Sequence, residues 1–352
     1  MTVLQQDEQQ HFAVKPGWIQ TAIDALTREG VAIWAPIRGD DNTITFAHVT
    51  SEQAVAQDYV NTRLPLKALL LPRSETLLHF KKQTGGDVEM FPEPTAPPQT
   101  VVIGCRPCDA AAVNVIDNVF YWDYEDLPYR ARRDALTFVS FACQSFGSSC
   151  FCHAVGGSPH DERGSDVLVF LNADGGATLK TLTDKGERFI QRLGDSAVPA
   201  SEKPVGAPAP PAPLFNPDMV KQWLDTNFEN DLWKDISLAC LGCGACSYLC
   251  PTCHCFDIVD EATWNRGARR RNWDCCSYKN FTMHASGHNP RPDQTTRCRQ
   301  RVMHKFKYFP ERFGAVACVG CGRCILNCGA GQHLPSILAR IQEQLAIEAQ
   351  KE

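Results

Sequence analysis

From Gly17 to Arg28 the apolar residues Trp18, Ala22, Ile23 and Leu26 recur at helical spacing, with Gly30 placed as a C-terminal cap, and this predicts an amphipathic helix. Short β-rich runs follow at Val31 to Trp34, Thr43 to Ala47, Leu66 to Leu71 and Thr76 to Phe80, parted by Pro, Gly and Asp. Thr100 to Ile103 reads as a buried strand that runs through Gly104-Cys105-Arg106-Pro107-Cys108-Asp109 into a helix from about Ala110 to Phe120. Leu136 to Ala142 and Asp166 to Leu171 are two further apolar strands. The pattern predicts an α/β or α+β domain over residues 1–200. A Pro/Ala-rich stretch, Ala207-Pro-Ala-Pro-Pro-Ala-Pro213, cannot form helix or a central strand, so 201–218 is expected to be a linker. Beyond it, Val220, Trp223, Leu224 and Phe228 suggest a short helix, and Leu334, Ile337, Leu338, Ile341 and Leu345 a longer amphipathic one.

Composition narrows the classes. A chain of 352 residues with 43% hydrophobic content can support two or three domains. A net charge of -5 provides no global field to recruit nucleic acid, and no apolar run reaches the ~18 residues of a membrane span. The opening Met1-Thr-Val-Leu-Gln-Gln-Asp-Glu has neither the cationic start nor the apolar core of a secretory signal. A cytoplasmic, reducing setting is therefore expected, in which eighteen cysteines point to metal or cluster binding rather than disulfides.

The cysteines fall into motifs. Cys240-Leu-Gly-Cys243-Gly-Ala-Cys246-Ser-Tyr-Leu-Cys250-Pro251 is echoed by Cys318-Val-Gly-Cys321-Gly-Arg-Cys324-Ile-Leu-Asn-Cys328. Three thiolates at two-residue intervals can grip three irons of one cubane, while the fourth cysteine reaches a second cluster. This scheme assigns Cys240, Cys243, Cys246 and Cys328 to one 4Fe-4S cluster and Cys318, Cys321, Cys324 and Cys250 to another. Residues 219–352 then form an α+β, two-cluster ferredoxin-like domain. Gly242, Gly244, Gly320 and Gly322 are expected at positive φ, bringing backbone N–H groups close to the sulfurs. Zinc is the rival ligand, but it needs only four cysteines and usually two separated C-x2-C pairs. A long insert, 256–312, separates the motifs. Between Ala262 and Arg312 it carries nine Arg and three Lys against Asp274, Asp293 and Glu311. Besides a solvated face or a nucleic-acid patch, such cations near anionic clusters would raise their potentials and help an acidic partner dock.

A further set lies in the N-terminal part. Cys108 opens the helix after one strand, where the dipole favours thiolate, Cys143 ends another strand, and Cys150-Phe-Cys152 follows on the next loop. If the two strands are neighbours, four thiols converge. Spacing alone leaves open a cluster, a zinc site or four unrelated buried thiols.

With these residues in view, the chain resembles one family, which comprises the β subunits of cytoplasmic nickel-iron sulfhydrogenases and their counterparts in anaerobic sulfite reductases. The resemblance is carried by Arg106-Pro-Cys-Asp109, Arg132-Arg133, Cys150-Phe-Cys152, Cys250-Pro-Thr-Cys-His-Cys255, Arg270-Arg-Asn-Trp273, Gly287-His-Asn-Pro-Arg291 and Cys318-Val-Gly-Cys-Gly-Arg-Cys324. It implies an electron-transfer subunit, not catalytic alone, that links a catalytic hydrogenase or sulfite reductase subunit to an FAD/NAD(P)H-binding flavoprotein subunit. The hydrogenase branch fits the first motif better. The resemblance also implies a third cluster, 4Fe-4S, on Cys108, Cys143, Cys150 and Cys152, passing over Cys105. The chain departs from the family at Cys328-Gly329, where Cys-Pro is usual. Cys253, Cys255, Cys275, Cys276 and Cys298 have no ligand role in this scheme.

Two other functions compete. One is a self-contained flavin/iron-sulfur reductase with its flavin at the Ile103 to Asp109 loop; the other is a redox regulator binding nucleic acid through 262–312. No catalytic triad, phosphate loop or G-x-G-x-x-G turn is recognisable.

Overall fold

The computed structural model describes residues 10–94, 96–200 and 209–350. Residues 201–208 of the expected linker, and with them part of its Pro/Ala run, lie outside the described residues; 209–216 carry no regular structure. Twelve strands are present among the described residues: β1 (His11–Val14), β2 (Ala32–Arg38), β3 (Ile44–His48), β4 (Ser74–Lys82), β5 (Val88–Pro92), β6 (Thr100–Cys105), β7 (Leu136–Phe141), β8 (Val167–Leu171), β9 (Ala177–Thr181), β10 (Ala197–Pro199), β11 (Phe256–Thr263) and β12 (Arg266–Trp273). The architecture is mixed α/β. Eight of the strands form one sheet in the order β10-β1-β9-β8-β7-β6-β2-β3.

Its centre is parallel. β2, β6, β7 and β8 run side by side in one direction, while the flanking pairs are antiparallel. β6 and β7 are buried along nearly their whole length, as expected of strands covered on both faces. One face carries the helices Trp18–Arg28 and Asp184–Leu193 over a core of Ile19, Ile23, Ile103, Phe141, Val167 and Phe189. The helices Pro107–Phe120 and Leu127–Ala135 cover the other face, where Val102, Val113, Ile116, Tyr129 and Phe138 meet. Gly30, at φ 71, terminates the first of these helices as expected.

The run Leu66 to Leu71 differs from its expectation. It forms a single helical turn, Lys67–Leu70, because Ala68, Leu69 and Leu70 favour helix and a short apolar run fits either state. Leu66, Leu70 and Leu71 are still buried.

The C-terminal part is mostly helical. Helices Pro217–Thr226, Gln294–Met303 and Leu334–Ala349 enclose a second core of Val220, Trp223, Trp233, Phe306, Leu338 and Ile341. Phe151, Ala154 and Val155, from the loop after β7, are buried in that same core. The insert does not stand alone either. Its hairpin β11-β12 joins β4 and β5 in a four-stranded antiparallel sheet, order β11-β12-β4-β5, so segments from both sides of the linker share a sheet. Arg271 locks this join: it is buried between Glu75 and Asp126, and Arg132 also reaches Glu75.

Candidate functional site

The second cysteine motif lies against the N-terminal domain. Its loop has Gly320 at φ 63 and Gly322 at φ 76. A Cβ on Gly320 would come within 2.4 Å of the Cys152 backbone, and one on Gly322 within 2.5 Å of the Ser149 carbonyl, so backbone meets backbone where a side chain has no room. Phe151 N donates to Gly320 O at 2.9 Å. Arg323, 1% exposed, reaches across to Asp109 at 2.9 Å and to the Thr62 carbonyl at 2.8 Å and hydroxyl at 2.6 Å. The Asn61 side-chain amide donates a hydrogen bond to Cys321 O at 2.7 Å. The helix face Ala111, Ala112 and Val115 packs on Ala317, Val319 and Cys321. Polar and apolar contacts thus weld this motif to the Arg106-Pro-Cys-Asp109 turn and the 149–152 loop.

Cys318, Cys321 and Cys324 lie close to Cys250, and each of the three feels the charge of Cys250. Burial pushes the Cys318 and Cys321 thiols up to about 12. Cys250 is held well below the ordinary thiol range, first by a hydrogen bond from Cys253 and, against its burial, by the Lys305 ammonium 3.4 Å away. Lys305 Nζ also donates to Thr252 Oγ1 at 3.1 Å and Ala317 O at 2.7 Å.

Cys240, Cys243, Cys246 and Cys328 line one cavity, together with Cys298 and Arg301. Gly242 and Gly244, at φ 64 and 77, wrap its rim. The Cys298 thiol draws Cys240 down to about 5, with the Gly242 N–H and the Gln294 amide, 3.2 Å away, assisting against burial. Gln332 N donates to Cys328 Sγ at 3.2 Å and Gly320 N to Cys318 Sγ at 3.4 Å, the backbone donors that cluster-bound thiolates require. The two sets adjoin: Cys246 acts on Cys324, and both act on Arg301.

The N-terminal thiols also gather. β6 and β7 are parallel neighbours, so Cys108 and Cys143 emerge at one edge and Cys108 feels Cys143; Cys143 and Cys150 both act on Cys152. Cys108 sits beside Cys321, which ties this set to the second motif. The helix dipole does not decide its state. Burial pushes the Cys108 thiol well above its ordinary value and the Asp109 carboxylate adds to that, while Cys143 and Cys152 are raised by burial to about 11. Cys105 is turned away, fully buried and hydrogen-bonded to Ser140 at 3.3 Å.

Among the described residues no three His, Cys, Asp or Glu side chains are gathered as one metal ion requires. A cubane asks for something else, since each thiolate binds its own iron. The positive-φ loops, the backbone donors to sulfur and the shared cavity fit that demand.

The remaining thiols form contacts of their own. Cys255 is hydrogen-bonded to Cys276, which also contacts Cys275. Five of the insert's twelve cations are paired with carboxylates: Arg269 with Asp260, Arg270 with Glu261, Arg271 with Glu75 and Asp126, Arg299 with Glu229, and Lys307 with Asp225 and Glu311. Arg301 and Lys305 instead turn toward the thiols. Lys67, whose Nζ binds Ser247 O at 3.1 Å and Cys253 O at 3.0 Å and lies over the Trp273 ring, is buried here as Lys305 is. Sequence reasoning noted the cationic surplus but not these individuals, because which cation turns inward depends on partners distant in the chain.

Fold and thiol geometry together define an iron-sulfur protein. Residues 239–332 match the family described as the 4Fe-4S dicluster domain, which spans both motifs and the insert. The chain is also 28% identical over 324 residues to sulfhydrogenase 2 subunit beta of Pyrococcus furiosus, an alignment covering 89% of this chain and 93% of that protein. The resemblance to sulfhydrogenase β subunits carried by the motifs is thereby shown across the N-terminal part as well. That relative is named as one subunit of a larger assembly. Among the described residues no helix is long and apolar enough to cross a membrane.

Proposed function

We propose that the chain is the electron-transfer subunit of a cytoplasmic oxidoreductase complex, relaying electrons between a catalytic subunit of the nickel-iron hydrogenase or sulfhydrogenase type and an FAD/NAD(P)H-binding flavoprotein subunit. When bound, a 4Fe-4S cluster accepts and returns one electron at little structural cost. Cys240, Cys243, Cys246 and Cys328 hold the first cluster, Cys318, Cys321, Cys324 and Cys250 the second, and Cys108, Cys143, Cys150 and Cys152 a third. The observation that carries this reading is the continuity of the three thiol sets: Cys108 packs in the same apolar cluster as Cys321, and the turn Arg323–Leu326 that holds Cys324 contacts the turn Ala245–Tyr248 that holds Cys246. The protein's own work is to hold these sets in line, exclude water and supply N–H donors and cations to the thiolates. The relative's name supports the hydrogenase branch; a sulfite reductase complex is the second reading, since the same resemblance covers it.

Iron and acid-labile sulfide measured on anaerobically purified chain test the proposal. Twelve of each are expected; stoichiometric zinc with little iron overturns it. A flavoprotein should copurify, and NAD(P)H oxidation by the isolated chain at enzymatic rates would favour a self-contained reductase instead. Cys250→Ser should slow electron flow through the complex while leaving partner-only dye assays intact.

A further inference from the structure

We propose that Arg301 and Lys305 form a cationic bridge between the two C-terminal thiol sets, two fixed positive charges that raise the reduction potentials of the clusters held there. The inference rests on the cluster assignment just given.

The bridge comes from one continuous helical segment. Gln294–Met303 is α-helical and runs directly into a π-helical turn, His304–Tyr308, so Arg301 and Lys305 lie about one turn apart on a segment locally widened. Such widened turns re-aim side chains and recur at functional sites. Arg301 lines the cavity of Cys240, Cys243, Cys246 and Cys328, and the thiols acting on it most strongly are Cys246 and Cys324, one from each set. Lys305, 3% exposed, places its ammonium 3.4 Å from Cys250 Sγ, and its two other acceptors are Thr252 and Ala317. Three acceptors around one amine use all three N–H groups of the charged form.

Neither residue has a carboxylate partner among the described residues, although five other cations of the same insert do. Arg301 Nε is buried with no hydrogen-bond partner at all. A buried cation without a counter-charge is strongly destabilising. The groups facing these two that can carry negative charge are cysteine sulfurs, so the missing negative charge is that of cluster-bound thiolates. Each added electron makes that charge more negative, and a fixed cation stabilises the reduced form more than the oxidised one. Lys305 should act chiefly on the cluster that includes Cys250. Arg301 should act on both.

The test uses the full chain, purified without oxygen, as wild type, Lys305→Met, Lys305→Arg and Arg301→Gln. Iron and sulfide are measured first: wild-type protein without clusters refutes the proposed function itself. With clusters present, each variant is titrated against potential and followed by electron paramagnetic resonance. At a fixed potential, Lys305→Met should lower the reduced-to-oxidised ratio of one cluster at least about tenfold, 59 mV for a one-electron couple. Arg301→Gln should lower both, and Lys305→Arg should stay near wild type. Iron-replete Lys305→Met and Arg301→Gln proteins that titrate as wild type would overturn the bridge. If Lys305→Met loses its iron, Arg301→Gln decides alone.

Discussion

Gly320→Ala probes the contact that joins the second cysteine motif to the N-terminal thiols. The new Cβ would sit 2.4 Å from both Cys152 Cα and Cys152 N and 2.5 Å from Phe151 C, all backbone atoms that cannot swing aside. Gly331→Ala is the matched control. Gly331 has nearly the same φ, 65 against 63, yet nothing lies within 4 Å of its Cβ position. Left-handed backbone costs both variants about 1–2 kcal/mol. Overpacking adds about 1–3 kcal/mol to Gly320→Ala alone. The expected total is therefore about 2–5 kcal/mol at position 320, against about 1–2 kcal/mol at 331. Thermal and denaturant unfolding under nitrogen, at one scan rate, should rank the variants in that order, and Gly320→Ala should also perturb the spectrum of the N-terminal cluster. Equal destabilisation by the two variants would refute the claim that the motif loop presses on residues 151 and 152.

Arg323→Met should leave Asp109 charged and buried, costing about 3–5 kcal/mol in anaerobic denaturation, while the double variant Arg323→Met/Asp109→Leu should recover much of it. Recovery would mark the ion pair as the cause. Cys152→Ser should remove about four irons from the full chain whereas Cys105→Ser should remove none; equal iron in both would leave a relay of two clusters. Arg271→Ala should leave Asp126 without its cation and Glu75 with Arg132 alone, costing about 1–3 kcal/mol, and hydrogen exchange should show hairpin 256–273 loosened first.

Much of the molecule was legible locally. The two C-x2-C-x2-C-x3-C runs name their chemistry by spacing alone, because a tight turn presenting three thiolates to one cubane is a property of a dozen consecutive residues. The strands at Thr100 to Ile103 and Leu136 to Ala142 were likewise readable, since strands buried on both faces are continuous apolar runs. Other features were not. Arg266–Trp273, with four arginines, shows little of a strand's apolar alternation, and only pairing with β4 and burial of Arg271 between two carboxylates make it one. Leu66 to Leu71 is apolar in either state, and its surroundings chose a helical turn.

The sequence by itself determined the ligand chemistry and the local elements that present it, because thiol spacing, glycine placement and hydrophobic period act over a few residues. Only the tertiary structure decided which sets lie side by side. Cys108 and Cys321 are more than two hundred residues apart in the chain, and their adjacency follows from the packing of Ala111, Ala112 and Val115 on the motif and from the Arg323 to Asp109 pair. It also decided that Arg301 and Lys305, two of twelve cations in a stretch that looks uniformly solvated, face sulfur rather than water. Burial of a charge depends on what distant segments bring to meet it, and no window of sequence contains that partner.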